Sequence, residues 1–177
     1  MQQVVNKGEV KPPTGQRLTI AEVLDWLVAD KMVDAETAAA FKKERRYYRG
    51  TMHPLVVVAE QKWKKLSPAG ATGAPLLTLD LLTEWLAKRC GMEYLHIDPL
   101  KIDFAAVTEV MSSAYATRFR ILPVGVSGKE AVIATCEPYI REWEPEVERM
   151  IKRSVKRVIA NQQDIERYQV EFYNLAK

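Results

Sequence analysis

The residues of this chain best suited to chemistry are two histidines, two cysteines, one Asp pair and one Gly-Lys step, and their spacing supports little of it. His53 precedes a proline, and His96 lies inside a short apolar stretch. No HxxxH, HExxH or mixed Cys/His ligand pattern is present, so the sequence offers no metal site. Cys90 and Cys136 are far apart with neither in a CxxC pair, and they read as reduced, buried thiols of a cytosolic chain. Serines are few, and GxSxG is absent. Asp98 and Asp103 flank Pro99-Leu100-Lys101-Ile102 and could be imagined as an acid/base pair, but residues placed like this more often cap a turn and the helix after it. The run Gly125-Val126-Ser127-Gly128-Lys129-Glu130 contains Gly-Lys, yet a phosphate loop needs a glycine further upstream and Ser or Thr after the lysine. Glu130 would repel a phosphate and its magnesium, so the run reads as a hairpin turn.

Two basic stretches remain. Lys42 to Arg49 interleaves cations with Tyr47 and Tyr48, which on a strand could stack single-stranded bases. At a helix end it is more simply a solvated face with favourable dipole placement. Arg149, Lys152, Arg153, Lys156 and Arg157 have helical spacing, but the helix that holds them should end near Arg153. Against 26 Lys+Arg stand 23 Asp+Glu, and a net charge of +3 is too small to argue for nucleic acid. Apolar residues make up 47% of the 177, ordinary for a globular protein and too rich for a disordered one. No apolar run approaches the ~18 residues that cross a bilayer, and residues 1–16 lack the apolar stretch of a secretory signal.

The elements follow from pattern. Residues 1–16 are polar, with Gly8, Pro12, Pro13 and Gly15, and read as a flexible tail. From Leu18 the apolar residues Val23, Leu24, Trp26, Leu27 and Val28 form a helical cluster. Asp34 is a good N-cap for a second helix reaching Tyr48. His53-Pro54 opens a third segment, Leu55 to Lys65, read as helix. Ser67 to Pro75 is almost entirely small residues and proline, a composition that cannot bury a core, and divides the chain into 17–66 and 76–177. Beyond that linker, Thr78 and Gly91 bracket a helix; Tyr94 to Ile97 alternates as a strand; Phe104 to Met111 and a segment capped by Ser112 or Ser113 form two short helices. Arg120 to Gly125 and Ala131 to Thr135 are strands joined at Ser127-Gly128. A helix with Pro145 at its first position, a strand from Val155 to Ala160, and a helix capped by Asn161 complete the unit. The fold class is α+β: a small helical unit, a linker, then a compact α/β sandwich with a short mixed sheet and packed helices.

Five landmarks in order carry a resemblance. Leu81 to Gly91, Ile97-Asp98-Pro99 to Asp103, Tyr115-Ala116-Thr117-Arg118-Phe119-Arg120-Ile121-Leu122-Pro123-Val124, Thr135-Cys136-Glu137-Pro138 and Asp164-Ile165-Glu166-Arg167-Tyr168 together resemble the N-terminal domain of type II secretion and type IV pilus assembly ATPases. The resemblance covers residues 77–177. It implies a domain that precedes a hexameric motor and docks it onto the cytoplasmic domain of an inner-membrane platform protein, cytoplasmic and peripheral at that membrane's inner face. The partners implied are that platform protein and the chain's own C-terminal ATPase domain, with membrane association only indirect. The phosphate-binding motifs of the motor are absent, so the chain is expected to be non-catalytic and to hold no cofactor, with ATP and magnesium belonging to the missing motor. The alternative is a cyclic di-GMP-sensing regulatory domain of the same family. Some relatives bind that nucleotide through an Arg-Leu-Gly motif, a later glycine and a terminal glutamine. The matching positions here hold Glu22-Val23-Leu24, Lys31 and Glu44, and without the glycines the close backbone approach is lost, so weak or no binding is expected.

Residue types point to a docking surface on the second helix. Phe41, Arg45 and Tyr48 recur at spacings of four and three, on one side. Aromatic and arginine side chains concentrate interface energy because they bury large area at modest entropic cost. The competing reading is that Phe41 and Tyr48 pack on the first helix beside Trp26 and Leu27.

Overall fold

Side-chain caps set most of the helix starts. Thr19 Oγ1 accepts the Glu22 N–H at 3.2 Å and opens α1, Ile20–Ala29. Asp34 Oδ1 accepts the Glu36 and Thr37 N–H groups at 2.7 and 3.1 Å and opens α2, Ala35–Lys43. His53 caps α3, Pro54–Glu60, with Pro54 at its first position, where the missing N–H is not needed. Thr78 caps α4, Leu79–Cys90. Gly91 ends α4 at φ 67°, a left-handed backbone that glycine adopts without strain. This computed structural model describes residues 16–44, 52–66 and 73–177. Arg45 and Tyr48, and residues 67–72 of the linker, lie outside the described residues.

The second unit continues with a 3-10 turn, Pro99–Lys101, α5, Phe104–Val107, and α6, Ser113–Phe119. Then come β1, Ile121–Val126; β2, Glu130–Thr135; α7, Trp143–Ile151; β3, Ser154–Ile159; and α8, Gln162–Leu175. The sheet order is β1-β2-β3, with β1 antiparallel and β3 parallel to β2, so α7 is the crossover between the parallel pair. This is the mixed sheet with packed helices that the pattern implies.

Both faces of the sheet are covered. Leu122, Ala134 and Val158 stand in register and pack with Ile165, Tyr168 and Phe172 of α8. Ile121 and Ile133 face the other way, toward Ala116 of α6 and toward Trp143 and Val147 of α7. The two-residue alternation of the strands therefore feeds two apolar layers. Gln169 closes the α6–β1 junction, its Nε2 donating to the Ala116 and Ile121 carbonyls at 3.0 and 2.9 Å.

The helical unit packs onto the second unit. Leu24 and Leu27 of α1, Val57 and Val58 of α3, and Leu82 and Leu86 of α4 form one buried cluster that also takes in Ile159 of β3. Each such side chain contributes about 2 kcal/mol on burial. The base of the linker is closed by an antiparallel bridge between Lys64 and Leu76. There the Lys65 N–H donates to the Pro75 carbonyl at 2.8 Å, and the Leu77 N–H to the Trp63 carbonyl at 2.7 Å.

Several boundaries differ from expectation. The second helix, expected to reach Tyr48, ends at Lys43, with Glu44 already out of helical backbone. Helix α7 begins at Trp143, so Pro145 is its third residue and not its first. The third helix ends at Glu60, because Lys62 turns left-handed at φ 55° and Trp63 to Lys65 pair across the linker instead. Tyr94 to Ile97 is not a strand: it makes a single parallel bridge, Tyr94 to Ile159, flanked by the Leu95 N–H to Ile159 carbonyl and Ile159 N–H to Glu93 carbonyl bonds. The helix expected from Phe104 to Met111 closes after one turn, at Val107.

Candidate functional site

The chemistry-bearing side chains that the fold gathers lie where the helical unit meets the sheet. His53 is 1% exposed. Its Nδ1 accepts the Leu55 N–H at 3.2 Å, as an N-cap does, which leaves the proton on Nε2. Nε2–H donates to the Cys136 carbonyl at 2.7 Å, and the His53 N–H donates to Gln162 Oε1 at 2.7 Å. Burial drives the imidazole down to about 4, and the Arg120 charge pushes the same way, against the hydrogen bond to Cys136. The ring is neutral at physiological pH.

Glu137 is 1% exposed, with Oε1 3.6 Å from His53 Nε2. Burial raises its carboxyl to about 7, opposed by the Leu18 N–H bonded to Oε2 at 2.9 Å and by the charges of Arg120 and Arg17. With a neutral imidazole beside it, this is a buried polar node rather than an ion pair. Burial pushes the Cys136 thiol far up, so it stays protonated and unreactive.

Donor atoms of His53, Cys136 and Glu137 lie within 4.8 Å of one another, close enough to ask whether they hold a metal. The tautomer argues against it. A metal on Nε2 needs that nitrogen deprotonated and Nδ1 protonated, which would set two N–H groups against each other at Leu55. Asp80, His96 and Asp164 form a second, more exposed group. There Asn161 Nδ2 donates at 3.1 Å to both carboxylates, tying the first turns of α4 and α8 together.

Asp98 Oδ1 accepts the Leu100 N–H at 3.1 Å and Asp103 Oδ1 the Ala106 N–H at 3.2 Å, so both are caps. The Gly128-Lys129 step sits in the β1–β2 hairpin, where Ser127 Oγ accepts the Glu130 N–H at 3.1 Å. A phosphate loop runs from strand into helix, and no helix follows here. Arg157, part of the basic run, is largely buried and donates to the Pro138 carbonyl at 2.8 Å. Phe41 is 9% exposed, its ring edge-on to Trp63 at 5.5 Å between centroids; Arg45 and Tyr48 lie outside the described residues. Val23 and Leu24 are buried, and Lys31 holds φ 58°.

The node was missed in the sequence. His53 before Pro54 signalled only a helix start, and Cys136-Glu137 only a landmark. Nothing in one-dimensional spacing joins positions 83 residues apart.

Residues 90–177 match the family model described as the MshEN domain. The chain thus carries an MshEN domain, which is the N-terminal domain of type II secretion and type IV pilus ATPases. Over 126 residues it is 33% identical to the type IV pilus assembly ATPase TfpB of Acinetobacter baylyi (strain ATCC 33305 / BD413 / ADP1). That stretch is 71% of this chain and 21% of TfpB, so the match spans about a fifth of that relative's length. The fold is similar to a solved structure of MshE with cdg, at a TM-score of 0.54 and 15% identity, covering 89% of this chain and 100% of that one.

Proposed function

We propose that this chain is the non-catalytic N-terminal adaptor of a type IV pilus or type II secretion assembly ATPase. In this reading it docks the motor domain of the same protein onto the cytoplasmic domain of an inner-membrane platform protein, at the cytoplasmic face. The observation that carries it is the MshEN match over residues 90–177, joined to 33% identity with a pilus assembly ATPase. The shared core supports it physically, since a helical unit fused to the sheet can pass force as one body. The hairpin at Gly128-Lys129 supports the non-catalytic part. No described helix is long and apolar enough to cross a membrane, which is consistent with indirect attachment.

The test is capture of the purified cytoplasmic domain of the platform protein by the immobilised chain. Arg45→Glu and Tyr48→Ala should abolish capture and leave the melting temperature nearly unchanged. Normal binding by both variants moves the docking surface elsewhere, and no binding by the parent chain overturns the reading.

A second reading, regulation by cyclic di-GMP, is favoured by one observation, the likeness to MshE with cdg. Against it stand Leu24 and Lys31 at the motif's glycine positions and Glu44 at its glutamine. Calorimetry giving a Kd below about 10 μM, roughly 7 kcal/mol of binding, would favour the sensor.

A further inference from the structure

Part of the apolar surface of the sheet stays open to solvent. Val124 of β1 and Val132 of β2 are only half-buried, and with Leu95, Ile102 and Val158 they floor a groove of about 350 Å³. One wall is the 3-10 turn Pro99–Lys101, since Asp98, Lys101 and Ile102 all line the groove. Leu100, between them, is 94% exposed. The turn holds it there. Pro99 fixes its own φ, Asp98 Oδ1 accepts the Leu100 N–H at 3.1 Å, and the Asp98 carbonyl accepts the Lys101 N–H at 3.1 Å. A single exposed leucine is ordinary on a protein surface, but this one is fixed at the lip of an apolar groove that it does not fill. The other charges on the rim are answered within the chain: Lys156 pairs with Glu93 at 2.6 Å, and His96 Nε2 lies 3.8 Å from Asp80. Among the described residues Asp98 and Lys101 form no ion pair, and they stand on either side of Leu100.

We propose that the groove and Leu100 form a self-association surface, through which a second copy of the chain binds across a two-fold axis. Leucine and groove lie in one patch, so each copy can seat its Leu100 in the groove of the other. A contact that uses the same patch twice closes as a dimer. The charges select this occupant. A two-fold axis beside Leu100 sets Lys101 of one copy against Asp98 of the other, twice over. A uniformly acidic or uniformly basic partner meets one matched charge and one repelled. Burial of the leucine against the valine floor supplies the attraction. One groove and one turn bury less than the roughly 1,200 Å² of a standard interface, so the contact is weak, with a Kd on the order of 100 μM. Copies tethered side by side meet at effective concentrations near about 1 mM, where such a pair is mostly formed. The contact is distinct from docking on a platform protein and does not depend on it.

Sedimentation equilibrium on the full chain, from about 10 μM to about 1 mM, tests it, and the parent should pass from monomer to dimer across that range. Leu100→Glu, at a position open to solvent, should keep the parent's melting temperature and raise the Kd at least roughly tenfold. Asp98→Lys and Lys101→Glu should each weaken association, because each sets like charges against one another. An equimolar mixture of those two variants should associate again, because every facing pair is then opposite in sign. A parent that stays monomeric at about 1 mM, a Leu100→Glu variant that associates like the parent, or a mixture no stronger than its two components overturns the assignment. So does a Leu100→Glu variant that still self-associates but no longer captures the platform protein's cytoplasmic domain, which would give the groove to that partner.

Discussion

The Nε2–H of His53 and the carbonyl oxygen of Cys136 stand 2.7 Å apart across 83 residues of sequence, both inside the protein. That bond fixes the start of α3 against the end of β2. Glu137, the next residue, reaches back to the Leu18 N–H at 2.9 Å and fixes the approach to α1. Two ends of the helical unit are therefore held by consecutive residues of one strand end.

The node makes a prediction about pH. The His53 pKa falls from 6.5 to about 4 on folding, so its contribution is complete above 6.5 and is lost as pH falls toward 4. The Glu137 pKa rises from 4.5 to about 7, so its contribution is complete below 4.5 and is lost as pH rises through 7. Between about 4.5 and 6.5 the two slopes oppose and flatten the stability curve. Glu137→Gln keeps an acceptor for Leu18 and removes only the falling slope. By urea unfolding the variant should match the parent near pH 4 and exceed it at pH 8, by on the order of 3 kcal/mol. A parent more stable than the variant at pH 8 would show that Glu137 is held ionised.

Lys31 yields a second. It follows α1 at φ 58°, with the Met32 N–H bonded to the Leu27 carbonyl at 2.8 Å to close the turn. Gly91 ends α4 in the same conformation at φ 67°. Lys31→Gly should therefore stabilise the chain by about 1 kcal/mol, and Gly91→Ala should destabilise it by a similar amount. Nothing lies within 4 Å of a β-carbon built at Gly91, so that loss is backbone strain alone. Calorimetric melting should show shifts of about 2–4 °C of opposite sign. Shifts of the same sign would refute the argument.

What was legible in the sequence was local. Asp34, Thr78, Ser112 and Asn161 announce helices because a cap and its N–H partners lie within three residues. Strands β1 and β2 were readable because a tight turn pairs neighbours. Tyr94 failed as a strand because its partner, Ile159, is remote and meets it at one bridge only. Trp63 failed as helix for the same reason, its partner Leu77 lying beyond the linker. The node joins His53 and Leu18 to Cys136 and Glu137 through such remote contacts, which propensity and periodicity do not encode.

The purified chain should not turn over ATP. The lysine of the Gly-Lys step sits between antiparallel strands, followed by Glu130, with no helix N-terminus to aim N–H groups at phosphate. Turnover above a buffer blank that follows the protein through gel filtration would overturn this.

The last prediction concerns the linker. Residues 67–75 are small or proline but for Thr72, and elastase, which cleaves after small residues, should cut there first. The two pieces should nevertheless stay together. Leu24 and Leu27 before the cut share a core with Leu82 and Leu86 after it, all fully buried. Around that core, Asp30 accepts from Trp85 Nε1 at 2.8 Å and from Arg89 at 2.7 Å, and Arg89 also lies over the Trp26 ring at 5.1 Å. Separation would expose these side chains at about 2 kcal/mol each and leave His53 and Glu137 without their partners. The nicked chain should elute from gel filtration as one species and part only in denaturant. Residues 76–177 expressed alone should bind a hydrophobic dye, and co-expression with 17–66 should abolish that binding. Pieces that separate without denaturant, each folded and dye-negative, would show that the two units are independent and that the shared core contributes little.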